Sequence, residues 1–137
     1  AKATYRQGIP IDLLTNYATL LKRDGQSDRA ESILRTAISV NPDDATLHYN
    51  LGNLYSATEK HVEAEQAYGE ALRLKPNFSK ATYNLALVEA KLDKPQRAIE
   101  LLQQYLQLEP MADNAKAVKA YIQTLQAAAG NGASTRK

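Results

Sequence analysis

The chain has no cysteine and no tryptophan, and only one phenylalanine and one methionine. Without cysteine there can be no disulfide framework, thiolate nucleophile or thiolate zinc cluster. The two histidines, His48 and His61, form no His-x-x-x-His pair, so imidazole ligation of a metal has little to draw on. No apolar run approaches the roughly eighteen residues that cross a bilayer. No basic segment followed by an apolar one marks a signal peptide at the N-terminus. The six glycines never gather into a phosphate-binding loop, and no serine sits in a nucleophile elbow. An excess of one charge is missing too: 17 basic against 15 acidic residues leave +2, too even to argue for nucleic acid. These absences lead us to expect a non-catalytic chain with no cofactor and no metal. They also lead us to expect a soluble one, cytoplasmic or periplasmic, whose compartment the sequence leaves open.

What is present is periodic. At 137 residues and 44% hydrophobic content the chain has the size and composition of one globular domain. Proline stands at 42, 76 and 110, and 76 − 42 = 110 − 76 = 34. On that period the units are 11–44, 45–78 and 79–112. The sixth residue of each is asparagine (Asn16, Asn50, Asn84), the eighth is small (Ala18, Gly52, Ala86) and the twentieth is alanine (Ala30, Ala64, Ala98). A fixed period of this length means stacked copies of one supersecondary unit.

Each unit reads as two amphipathic helices. In the second, Leu47, Leu51, Leu54 and Tyr55 recur at helical spacing, then Ala64, Ala67, Tyr68, Ala71 and Leu72 repeat the pattern. The prolines end the second helix of each unit, since proline has no amide hydrogen and pushes its predecessor out of helical geometry. Asp24-Gly25 and Lys94-Pro95 mark turns inside units. The small residues at positions eight and twenty should face each other where helices approach, with Tyr17, Leu51 and Leu85, then Leu34, Tyr68 and Leu102, filling the space around them. Residues 113–129 are expected to form a further helix that caps the stack, with Val118, Tyr121, Ile122 and Leu125 on its apolar stripe. Residues 130–137 read as a flexible tail. The start at Ala1, with Met111 the sole methionine, leads us to expect a processed product or a piece of a longer protein, with 1–10 the remnant of a preceding element.

The run Asn50-Leu51-Gly52-Asn53-Leu54-Tyr55, followed by Ala64, Tyr68, Ala71 and Pro76, resembles a tetratricopeptide repeat, and the resemblance covers 11–112 in three copies. It implies an all-α fold, a right-handed α-α superhelix of three helix pairs plus a capping helix. It also implies a concave groove lined by the first helix of each pair. The copies depart from the pattern at His48 and Thr82, at Glu89 in place of an aromatic, and at Tyr105 in place of a small residue.

The resemblance implies that the groove carries Asn16, Asn50, Asn84, Asn53, Tyr49, Tyr83, Lys80, Lys22, Arg23 and Lys91. Over the full set of inward positions Lys22, Arg23, Lys80 and Lys91 stand against Asp12 alone. An asparagine amide both accepts and donates, so it can pair with a peptide bond without reading the side chain. The sixth-position series resembles the ladder that grips peptide main chain in the superhelix of O-linked N-acetylglucosamine transferase. The carboxylate clamp of chaperone-binding repeats fits less well. Asn50 and Lys80 match it, whereas Thr15, Thr19 and Asn84 stand where it needs other residues. The expected partner is therefore a protein or peptide segment, extended and mildly acidic, with no nucleic acid and no membrane insertion. The alternatives are a structural spacer, a module that self-associates through its N-terminal end, or a substrate-recruiting domain of a larger enzyme.

Overall fold

A computed structural model describes residues 10–135, with side chains to residue 130. Apart from Pro10, the expected lead-in lies outside the described residues, as do Arg136 and Lys137. Among the described residues the fold is all-α: α1 (Ile11–Arg23), α2 (Ser27–Val40), α3 (Ala45–Ala57), α4 (His61–Leu74), α5 (Ser79–Lys91), α6 (Pro95–Leu108) and α7 (Ala115–Thr135). First helices begin at 11, 45 and 79 and second helices at 27, 61 and 95, so the period of 34 governs both.

Each hairpin turns on one residue in the left-handed region: Gly25 (φ 78°), Glu59 (φ 61°) and Asp93 (φ 60°). The next amide then reaches back over the turn, Gln26 N to Leu21 O at 2.8 Å, Lys60 N to Tyr55 O at 2.8 Å and Lys94 N to Glu89 O at 2.9 Å. This is the six-to-one bond of a Schellman motif, which satisfies carbonyls that a helix end would otherwise orphan. The units are joined by turns ahead of the prolines, where Asn41, Lys75 and Glu109 each donate to the carbonyl four residues back. Asp44 then caps α3, its Oδ1 accepting from Thr46 N at 3.0 Å.

The chain divides after Pro76 into two compact units. In the first, α1 packs on α2, α2 on α3 and α3 on α4. Ala18, Ala30, Leu34, Leu54, Ala64 and Tyr68 are buried, and Ile11, Ala37 and Leu47 gather the near ends of α1, α2 and α3 into one cluster. Gly52 is small because of Tyr68: a Cβ at 52 would lie 2.6 Å from two carbons of that ring. Tyr17 departs from its expected filling role and is exposed. The helices packed on α1 are α2 and α3, and neither covers the side that carries it.

In the second unit α5 packs on α6 and α6 on α7, with Ala86, Val88, Ala98, Leu101 and Leu102 buried. Val118 and Ile122 seat α7, and Tyr121 and Leu125 are half-buried. Tyr105 OH donates to Asn114 Oδ1 at 2.8 Å, at the residue before α7. The helix also outruns its expected bounds of 113–129. It starts after the Asp113-Asn114 turn, and its backbone continues through Gly130 to Thr135. The stretch carries two glycines, Gly130 and Gly132, each costing a helix only about 1 kcal/mol, and Ala127–Ala129 just before them are the best helix formers.

Candidate binding surface

In the first unit α1 and α3 lie side by side, and two depressions mark the surface they share. One, of about 160 Å³, is lined by Thr15, Thr19 and Lys22 of α1 and by Asn50 and Asn53 of α3, with Ala18, Leu34 and Leu54 around them. The other, of about 370 Å³, is lined by Asp12, Thr15, Asn16, Asp44 and Thr46, with Ile11 and Leu47. Helical spacing dictates this grouping. Residues 12, 15, 16, 19 and 22 advance by three or four and share a face of α1, while 46, 50 and 53 do the same on α3.

The hydrogen bonds within the protein decide what this surface offers a ligand. Thr15 Oγ1 donates to Ile11 O and Thr19 Oγ1 to Thr15 O, both at 3.0 Å, so the two hydroxyls present lone pairs rather than hydrogens. Asn53 Oδ1 accepts from Tyr68 OH at 2.5 Å, which fixes the orientation of that amide. The Asn50 amide and the Lys22 ammonium are different: neither hydrogen-bonds or pairs with another described residue. The 160 Å³ depression thus brings together one cation, two amides and two hydroxyls, a set suited to a polar ligand that both accepts and donates hydrogen bonds.

The other expected residues are placed as follows. Asn16 is exposed at the rim of the larger depression. Tyr49 is half-buried against Tyr68, with ring centroids 6.0 Å apart. Arg23 is not brought to Lys22. It lines a separate depression of about 510 Å³ with Tyr17, Leu20, Asp24 and Arg29. Asn84, Tyr83, Lys80 and Lys91 belong to the second unit, where Asn84 is half-buried midway along α5 and Lys80 and Lys91 are exposed near its ends. Tyr83 packs its ring on Tyr105, centroids 5.1 Å apart.

Sequence reasoning missed a polar tie between α2 and α3. Tyr55 OH donates to Glu31 Oε1 at 2.6 Å, and Arg35 donates to both Tyr55 OH and Glu31 Oε1. The Tyr55 hydroxyl, aided by Arg35, holds the Glu31 carboxyl below the ordinary carboxylate range, while burial pushes the Tyr55 phenol up. The Glu31/Arg35 spacing of four was the one local signal; Tyr55 is 24 residues from Glu31 and only the fold unites them. The histidines do not meet. His48 Nε2 lies 2.9 Å from Pro42 O, and His61 Nδ1 is buried at the start of α4. Among the described residues no group of three or more His, Asp or Glu is placed to hold a metal ion, and no helix is long and apolar enough to cross a membrane.

Tetratricopeptide-repeat profiles match residues 11–44, 45–78 and 63–112. A peroxisomal targeting signal receptor of Kluyveromyces lactis is 36% identical over 84 residues, which is 61% of this chain and 15% of that protein. The chain spans between 9% and 17% of the length of the curated relatives compared. Among solved structures, the type III secretion translocator chaperone SycD of Yersinia enterocolitica has the same fold at 12% identity. Its TM-score is 0.79, over 88% of this chain and 86% of that one. The first repeat domain of Spaghetti (RPAP3), bound to the HSP90 peptide SRMEEVD, aligns with a TM-score of 0.78 at 19% identity, over 86% of this chain and 91% of the other. Profiles that together span 11–112, on helices repeating every 34 residues, place the chain in the tetratricopeptide repeat family.

Proposed function

We propose that the chain is a non-catalytic peptide-binding module whose first helices hold an extended, mildly acidic segment, with Asn16 and Asn50 of the first unit pairing to its main chain and Asn84 the equivalent group of the second. The observation that carries this reading is the 160 Å³ depression where the Asn50 amide and the Lys22 ammonium line a polar hollow without partners among the described residues. Polar groups with no internal partner retain their full capacity for a ligand, and a carboxylate facing Lys22 gains a charge-assisted bond. The Spaghetti (RPAP3) domain, of the same fold, is bound to a peptide, which makes short peptides the first class of ligand to test.

The test is an array of acetylated, amidated random heptapeptides probed with the wild-type chain. Asn16→Ala, Asn50→Ala and Asn84→Ala should each weaken binders by about 0.5–1.5 kcal/mol, the net worth of a hydrogen bond. Lys22→Gln should weaken peptides containing Asp or Glu more than neutral ones. Melting temperatures should stay within a degree or two for Asn16→Ala and Asn50→Ala, since neither side chain bonds to another described residue. An array without binders, or binders indifferent to all four substitutions, rejects this reading.

A further inference from the structure

The largest unused feature of the molecule is the outer side of α1. Leu13, Tyr17 and Leu20 are 58%, 44% and 59% exposed, and at i, i+4 and i+7 they form one apolar stripe. Their counterparts 34 residues on, Leu47, Leu51 and Leu54, are 1%, 7% and 2% exposed, because α2 packs on α3. Among the described residues, the same side of a first helix is therefore closed in the second repeat and open in the first.

We infer that a second copy of this chain covers the stripe, α1 against α1 in antiparallel fashion about a two-fold axis at Tyr17. The stripe is close to symmetric about that residue. Antiparallel pairing sets Tyr17 against its own copy and Leu13 against Leu20 of the other chain, so a single patch is complementary to itself, as an isologous interface requires. Charge agrees with this register. Asp12 is in the first turn of α1 and Arg23 is its last residue. Eleven residues apart, they fall about 20° from each other around the helix, on the flank of the stripe that borders the 370 Å³ depression of Asp12 and Asn16. Reversing one copy places Asp12 of each chain beside Arg23 of the other, twice over, and sets the two helix dipoles head to tail. A parallel pair would instead bring like charges together at both ends. The shape agrees as well: the 510 Å³ depression at the far end of α1, lined by Tyr17, Leu20, Arg23 and Arg29, is where Leu13 of the second copy arrives.

A contact confined to one thirteen-residue helix per chain is small beside the 1,200 Å² or so of a standard interface, so the dimer forms only at high concentration. Sedimentation equilibrium of the full chain should show monomer at about 10 µM and a rising share of dimer towards about 500 µM. Leu20→Asp, at an exposed position and checked for unchanged helicity, should abolish the dimer. Asp12→Arg and Arg23→Asp should each weaken it severalfold, and the two together should restore it. The register is read by crosslinking, because the chain has no native cysteine. Tyr17→Cys should oxidise to a disulfide dimer. Leu13→Cys alone should not, since its copy lies about 12 Å away along the axis, beyond the reach of a disulfide. A mixture of Leu13→Cys and Leu20→Cys chains should crosslink with each other. Monomer at every concentration, or Leu13→Cys crosslinking to itself while Tyr17→Cys does not, overturns the inference. Neither outcome touches the peptide reading, which rests on Lys22 and Asn50 at the 160 Å³ depression.

Discussion

The second and third hairpins meet one packing problem in different ways. Each carries a tyrosine at the fifth position of its first helix, Tyr49 and Tyr83, and each stacks that ring on a tyrosine of its second helix. In α3–α4 the partner is Tyr68, the twenty-fourth residue of the repeat. Its ring lies against the α3 backbone, so residue 52 has to be glycine. In α5–α6 the partner is Tyr105, three residues later in the repeat, where the other copies have Ala37 and Ala71. Position twenty-four there is Leu102, a slimmer side chain, and Ala86 is tolerated where the second repeat needs Gly52. The hydroxyls diverge accordingly: Tyr68 donates back to Asn53 on α3, Tyr105 forward to Asn114 ahead of α7. What reads as a lapse from the repeat pattern at Tyr105 is thus an exchange of partners. It moves the aromatic pair by about one turn and ties the third hairpin to the helix that follows.

The largest effect expected from breaking this comparison is at Gly52. Gly52→Ala should destabilise by about 1–3 kcal/mol, although alanine is the better helix former by about 1 kcal/mol, because the new methyl overlaps a fully buried ring. Adding Tyr68→Leu rebuilds the alanine and leucine combination of the third repeat and should recover part of the loss in urea denaturation. A neutral Gly52→Ala, or a double variant no better than the sum of the two, would show that the glycine answers to something other than Tyr68.

A smaller effect separates the two hydroxyls. Tyr68→Phe and Tyr105→Phe each remove one hydrogen bond from a largely buried ring and should cost about 0.5–1.5 kcal/mol. Their consequences should fall in different places. Tyr105→Phe should speed amide exchange in the first turns of α7, and Tyr68→Phe should leave α7 alone while altering peptide binding through Asn53. Equal exchange in α7 for both variants would deny Tyr105 its tie to that helix.

The sequence made most of the frame legible, because proline, alanine and asparagine recur at fixed positions and the hydrophobic period is helical throughout. The first helices begin where the units were drawn, at Ile11, Ala45 and Ser79. Three things were hidden for identifiable reasons. A repeat pattern describes the interior of a stack, so it assigned Tyr17 to packing although nothing described covers that side of α1. Residue size shows that a position is tight but not against what, so Gly52 read as room for Ala64 when the overlapping atoms belong to Tyr68. The Glu31, Tyr55 and Arg35 tie joins residues of adjoining repeats, and no spacing within one repeat predicts it. For the binding surface the sequence supplied the candidates. The structure sorted them, gathering Lys22, Asn50 and Asn53 at one depression and leading Arg23 away to another.

The smallest expected effect concerns the turns that the hairpins share. Gly25, Glu59 and Asp93 occupy the same repeat position with φ between 60° and 78°, where an L-residue meets its own carbonyl through Cβ. Only the first repeat uses the residue that escapes this cost. Neither Glu59 nor Asp93 makes its turn by side-chain chemistry, since the reaching amides are backbone groups that glycine would supply equally well. Glu59→Gly should therefore relieve strain in the folded state, offset in part by the added freedom of the unfolded chain. The net gain should be about 0.5–1 kcal/mol in urea denaturation, with the slope of the transition unchanged. Gly25→Ala should lose a similar amount. Nothing lies within 4 Å of the position its Cβ would take, so the loss would come from backbone geometry alone. Were Glu59→Gly to destabilise instead, the Glu59 side chain would be contributing to the turn, and the three hairpins would not share one closing mechanism.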